Sequence, residues 1–218
     1  MHKCTQVFDT TVVRHGLMIL GPTGSGKTKC YEVLKDAISS LKNQVSPDGS
    51  HFQNVITYVL NPKSVTMGQL YGEFDLATHE WTDGILSVLI REGVAADDLD
   101  KRWYVFDGPV DALWIENMNT VLDDNKKLCL SSGEIIKLTE SMRLIFEVAD
   151  LAHASPATVS RCGMVYLEPS ILGLNSFVEC WLQSLPAPIY PHKEKLERLF
   201  NIFLEVRLIN SENYSPFI

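Results

Sequence analysis

Leu17-Met18-Ile19-Leu20-Gly21-Pro22-Thr23-Gly24-Ser25-Gly26-Lys27-Thr28 decides the reading of this chain. Four apolar residues are followed by a glycine-punctuated turn and then Lys-Thr at the head of a helical pattern, the full context of a G-x-x-x-x-G-K-[ST] phosphate-binding loop. The chemistry explains the pattern. Gly21, Gly24 and Gly26 allow backbone angles and a close approach that a Cβ would block, so successive N–H groups of Gly21, Pro22-Thr23, Gly24, Ser25 and Gly26 can surround an anion, with only Pro22 lacking a donor. The helix that starts there adds its positive dipole end. Lys27 is placed to reach the outer phosphates of a nucleoside triphosphate, and the Thr28 hydroxyl to ligate Mg²⁺. The four fixed positions coincide by chance in roughly one percent of chains this long, and a preceding strand with a following helix lowers that further.

Working outward, Val12 and Val13 just before the loop strand are candidates to pack on the base of the nucleotide, with plain core packing as the alternative reading. Residues 1–14 read as a helix or an extended lead-in. After Thr28, apolar positions Cys30, Val33, Leu34, Ala37, Ile38 and Leu41 recur at helical spacing and predict a helix to about Lys42. Residues 44–53 read as loop. Val55 to Leu60 is a β-branched run stopped by Asn61-Pro62, the pattern of a buried parallel strand. Residues 63–92 are mixed, with a helical start near Ser64, turns bounded by Gly68, Gly72 and Gly84, and an apolar helix from Ile85 to Ile90.

Trp103-Tyr104-Val105-Phe106-Asp107 predicts a third strand, expected beside the loop strand and ending in a carboxylate. That is where phosphate-loop enzymes place the acid that holds Mg²⁺, so Asp107 joins Thr28 as a candidate metal-site residue; the alternative is a strand-end helix cap. The neighbouring position, where an acid that aligns the attacking water is expected, holds Gly108. Asp111 and Glu116 lie further along and serve as base only if they reach back. Loss of a general base typically removes 10²–10⁴ of rate, about 3–5 kcal/mol, which predicts a site that holds nucleotide better than it turns it over.

Asp111 to Leu122 carries a helical stripe, Lys127 to Leu138 reads as a hairpin around Ser131-Ser132-Gly133, and Met142 to Val148 and Gly163 to Leu167 read as further apolar strands. Alternating strands and helices predict a parallel sheet with helices on both faces. From Pro169 onward only helices are expected, Leu172 to Leu185 and Lys193 to Leu208, which divides the chain into an α/β domain at 1–170 and a helical unit at 171–218. A chain of 218 residues with 45% hydrophobic and 21% charged content has the make-up of an ordinary globular protein. Its net charge of −8 argues against nucleic acid or an anionic membrane as partner. The five cysteines are scattered with no C-x-x-C spacing and read as reduced thiols, Cys30 and Cys129 as buried small hydrophobes. His15, His51, His79, His153 and His192 have no partner at metal-binding spacing and read as surface or hydrogen-bonded core residues. Uncapped ends point to a segment of something longer.

Four blocks, Gly21 to Thr28, Asn61 to Gly72, Trp103 to Asn119 and Ala154 to Tyr166, resemble the AAA+ modules of dynein heavy chains, and most closely the second module of the ring in an axonemal type. The likeness runs from about Val12 to Leu172. It implies an AAA+ P-loop NTPase fold with residues 61–91 and the 127–138 hairpin as inserts, and the remainder as the beginning of a helical small subdomain. It implies ATP or ADP with Mg²⁺ as ligands, and neighbouring modules of the same heavy chain as partners. Microtubules and dynein intermediate and light chains are implied through the whole motor, which is placed in the cytoplasm, the cytoskeleton and the ciliary axoneme. The second module is regarded as binding nucleotide without hydrolysing it, in agreement with Gly108 and with Asp150 near the position of a polar sensor. By the same resemblance Arg161 is the arginine finger, acting in trans on the preceding module's nucleotide; a surface salt-bridge role is the alternative. Arg143 and Arg14 are weaker candidates for phosphate or interface contacts.

Overall fold

The computed structural model describes residues 1–46 and 49–212, with side chains left aside at 171, 174 and 204–212. The loop expected at 44–53 and the helical unit expected at 171–218 thus lie partly outside the described residues. Helix α1 (His2–Val13) leads into β1 (Gly16–Leu20), which is buried along its whole length. Helix α2 (Lys27–Ser40) follows, then β2 (Val55–Leu60). A short helix α3 (Met67–Tyr71) and the strands β3 (Gly72–Phe74) and β4 (Trp81–Asp83) precede α4 (Ile85–Ala95). Next come β5 (Lys101–Asp107), the single turns α5 (Ala112–Ile115) and α6 (Asn119–Leu122), and the hairpin β6 (Lys127–Cys129) and β7 (Ile135–Lys137). Strand β8 (Met142–Val148), helix α7 (Pro156–Arg161) and β9 (Gly163–Tyr166) complete the sheet.

All pairings in the five-stranded sheet are parallel, in the order β2-β5-β8-β1-β9. Strand β8 therefore lies between the loop strand and the strand that ends in Asp107, which the sequence reading had placed side by side. Side-chain alternation sorts the core into two layers. Leu17, Ile19, Trp103, Val105 and Ile145 pack with Val7 of α1 and Cys30, Tyr31, Leu34 and Ile38 of α2. Met18, Leu20, Tyr104, Phe106, Leu144 and Phe146 pack on the other face with Leu86 and Ile90 of α4, Trp114 and Ile115 of α5, and Leu128 and Ile136 of the hairpin. Burial on both faces explains why these strands read as continuous apolar runs. Phe106 stacks on Phe146 with ring centroids 5.1 Å apart, and Trp114 lies 5.8 Å and 5.9 Å from the two of them.

Among the described residues, two antiparallel two-stranded hairpins stand outside the sheet. The one at 127–138 was expected; β3–β4, read as turns, was not, because three-residue strands leave no periodicity to detect. Arg91 of α4 ties the two together, donating to Asp83 of β4 at 2.9 Å and to Glu134 in the other hairpin at 2.7 Å. The stripe expected from Asp111 to Leu122 breaks into α5, a 3₁₀ turn and α6. Helix α7 was also not anticipated, although Ser155 caps it through the Thr158 N–H and Pro156 opens it. Cys129 is exposed, contrary to expectation, because Leu128 takes the inward position of β6.

Residues 1–169 form one compact unit and 170–218 another. The second contains α8 (Pro169–Gln183), interrupted at Gly173, and α9 (Lys193–Glu212), with Trp181 and Phe200 in edge-to-face contact at 5.3 Å. Phe146→Ala empties the centre of the aromatic stack, and the expected cost is about 3–5 kcal/mol of stability, read from urea denaturation of the 218-residue chain. A loss under about 1 kcal/mol contradicts the central position assigned to this ring.

Candidate functional site

The loop leaves the C-terminal end of β1, where the Gly21 N–H donates to the Val148 carbonyl at 3.2 Å. Gly21, Gly24 and Gly26 have φ of 149°, 82° and 86°, conformations that L side chains rarely adopt. A Cβ on Gly21 meets the Leu167 carbonyl oxygen at 2.4 Å and Ser25 Oγ at 2.7 Å, whereas one on Gly24 meets nothing within 4 Å, so that side of the loop is open. Gly26 caps α2, and no side chain satisfies the helix's first N–H groups. Lys27 Nζ donates to the carbonyls of Gly21 and Pro22 at 2.8 and 3.1 Å, which closes the loop on itself. Ser25 Oγ is buried without a hydrogen-bond partner. An uncapped helix start, an exposed glycine turn and an orphaned hydroxyl fit a phosphate group. Pro22 and Thr23 form the exposed crest of the loop.

Asp107 ends β5 and is exposed. Directly opposite it in the β5–β8 register stands Glu147, an acid that the apolar pattern of its strand masks in the sequence. Alternation puts Glu147 on the face shared by Ile145 and α2, and its Oε1 accepts the Thr28 hydroxyl hydrogen at 2.6 Å. Only 7% of Glu147 is exposed, and its second carboxylate oxygen is buried without a partner. Burial pushes its carboxyl above the usual range; the Thr28 hydrogen bond pulls it back, and the charge of Asp107 raises it again. Thr28, Asp107 and Glu147 thus converge below the loop. The one acid in a seven-residue strand that is otherwise apolar apart from Arg143 was the signal for it.

Other candidates are held elsewhere. Asp111 caps α5 through the Leu113 N–H and is ion-paired with Lys63, so both carboxylate oxygens are engaged. Glu116 is exposed in the 3₁₀ turn. Asp150 accepts the Ala152 N–H in a local turn at 2.9 Å.

Val12 and Val13 are not brought to the loop. They lie exposed at the N-terminal end of β1, while the loop leaves its C-terminal end, and they line a cavity of about 300 Å³ with Arg143 and Arg161. Arg161 ends α7, is ion-paired with Asp123 and donates to the Ala157 carbonyl at 2.8 Å. It therefore faces away from this chain's own loop. Arg143 donates to the Thr11, Glu140 and Met142 carbonyls, each at 2.7 Å. Arg14 shares the cavity lining. His15, expected to be exposed or hydrogen-bonded, is buried there with neither ring nitrogen partnered.

The sequence profile of the AAA domain (dynein-related subfamily) matches residues 16–162, which run from the first residue of β1 to just before β9. The chain belongs to the dynein-related AAA family. It is 69% identical over 212 residues to mouse dynein axonemal heavy chain 1, and 49% identical over 210 residues to rat dynein axonemal heavy chain 12. Human dynein axonemal heavy chain 6 is 48% identical over 203 residues. These matches cover 97%, 95% and 93% of this chain but only 5%, 7% and 5% of the respective relatives. This AAA domain thus corresponds to a small part of each.

Burial, reinforced by Arg143 and Lys126 and opposed by Glu140, lowers the His15 pKa from 6.5 to about 4. Between those values the unfolded chain takes up a proton that the folded chain refuses, so stability is lost as pH falls through this window. The expected loss reaches about 3 kcal/mol by pH 4, at about 1.4 kcal/mol per pH unit. Melting curves of wild type and His15→Gln from pH 7 to 4 isolate this contribution from that of Glu147, whose shift has the opposite sign. The variant is expected to lose less stability than wild type across the window; parallel curves contradict the assignment.

Proposed function

We propose that this chain is the second AAA+ module of an axonemal dynein heavy chain, binding ATP or ADP with Mg²⁺ and hydrolysing it little or not at all. The observation that carries this reading is the pairing of an intact, open phosphate loop with Gly108 in the place of a water-aligning acid beside Asp107. Lys27, Thr28 and the loop from Gly21 to Gly26, through its N–H groups that are not engaged elsewhere in the fold and through Ser25 Oγ, hold the phosphates. Thr28 and Asp107 hold Mg²⁺, which shields phosphate charge when bound. The alternative reading, hydrolysis with Asp111 or Glu116 as base, finds no support in their placement, since Asp111 is fully engaged and Glu116 is exposed.

Arg161 supplies charge in trans to the nucleotide of the preceding module, a reading supported by its distance in the fold from the chain's own loop. In that assembly the Asp123 ion pair holds the guanidinium in position until the neighbour docks. Residues 171–218 begin the helical small subdomain. The direct partners are the neighbouring modules of the same heavy chain. Microtubules and intermediate and light chains are partners of the whole motor in the ciliary axoneme, a placement resting on the axonemal relatives. A base contact by Val12 and Val13 finds no support in their position at the far end of β1.

Nucleotide is expected to stay with the purified chain and to be lost on Lys27→Ala, with phosphate release by wild type below about 1 s⁻¹, the low end of ordinary enzymes. Faster release, or equal nucleotide content in the variant, overturns the reading. In the assembled motor, Arg161→Ala is expected to lower nucleotide turnover at the preceding module by about 10³ while leaving nucleotide content here unchanged.

A further inference from the structure

We infer that Glu147, more than the strand-end Asp107, orients the Thr28 hydroxyl toward a divalent cation bound with the phosphates. The inference rests on the phosphate-binding reading above and adds a positioning residue to it. A threonine hydroxyl has one proton and two acceptor lone pairs. Here the proton goes to Glu147 Oε1 at 2.6 Å, which leaves the oxygen free to face a cation. Thr28 opens α2, directly below the loop, so the hydrogen bond fixes the hydroxyl where phosphate oxygens are held.

A second, independent observation points to a ligand. Glu147 is 7% exposed in the interior of a parallel sheet, takes part in no ion pair among the described residues, and keeps Oε2 buried and unpartnered. Buried carboxylates are paired or coordinate metals, and Lys27, the nearest loop cation, is engaged with the Gly21 and Pro22 carbonyls. Strand register places Asp107 directly opposite, so two carboxylates from adjacent strands and one hydroxyl face the same space. Among the described residues no three His, Cys, Asp or Glu side chains form a closed metal cage. That suits Mg²⁺, which is usually held by one or two carboxylates, waters and substrate phosphates. Replacing an acid that orients a metal ligand typically weakens the metal 10–100-fold.

The test titrates ADP into the nucleotide-stripped 218-residue chain with chelator, then titrates Mg²⁺ into the ADP complex, for wild type, Glu147→Gln and Asp107→Asn. Glu147→Gln is expected to bind metal-free ADP within about threefold of wild type while its half-saturating Mg²⁺ rises 10–100-fold, and more than in Asp107→Asn. Its metal-free melting temperature is expected to rise, because the amide carries no buried charge. Glu147→Asp, which keeps the carboxylate, is expected to recover part of the Mg²⁺ response. Wild-type Mg²⁺ dependence in Glu147→Gln overturns the inference, as does a fall in its melting temperature without rescue by Glu147→Asp. If wild type binds no ADP even without metal, the phosphate-binding reading itself fails, and the inference with it.

Discussion

Burial of β8 between β5 and β1 is the constraint on which the rest of this structure depends. A parallel strand with neighbours on both sides and helices on both faces has no water to satisfy its polar groups, so it accepts almost only apolar side chains. Leu144, Ile145, Phe146 and Val148 meet that condition and seat the aromatic stack with Phe106 and Trp114. Once the three central strands are in register, the loop and both carboxylates emerge at the same end of the sheet without further design. The exceptions on β8 are Arg143, half-buried near its start, and Glu147, whose partner is the hydroxyl at the head of α2.

The two ends of the sheet serve different chemistry. The C-terminal end brings together the glycine loop, the Thr28 hydroxyl and two acids. The N-terminal end gathers Arg14, Arg143 and Arg161 with Asp123, Asp124 and Glu140 around a separate cavity, and buries a neutral His15 among them. In parallel sheets this polarity is general, because ligands bind beyond the carboxyl ends of the strands. The charges at the N-terminal end are mixed, and the hairpins tied by Arg91 include one whose Leu128 and Ile136 cover a face of the sheet.

Legibility in the sequence followed the length of each element and the number of constraints it met. The loop met several at once, in fixed glycines, Lys-Thr, a strand before and a helix after, and its geometry matched. Strands β2 and β8 were bounded to the residue because apolar runs end at turn or polar signals, but β2, expected to be buried, is an edge strand in which only Val55 is buried. The β3–β4 hairpin and α7 were too short for periodicity, although Ser155-Pro156 carried a cap that could have revealed the latter. Val12 and Val13 were adjacent to the loop strand in sequence but at its wrong end in space, since a five-residue strand separates them from the loop. Glu147 was hidden by averaging, because one acid in a strand with five apolar residues does not change the reading of that strand.

What the sequence determined alone was the chemistry of the loop and the alternation of strands and helices, because local backbone requirements and burial dictate residue types over short stretches. Only the tertiary structure decided the strand order, and with it that β8 and not β5 lies against β1. That order sets Glu147 opposite Asp107 and within reach of Thr28, a contact between residues 119 positions apart that no local pattern encodes.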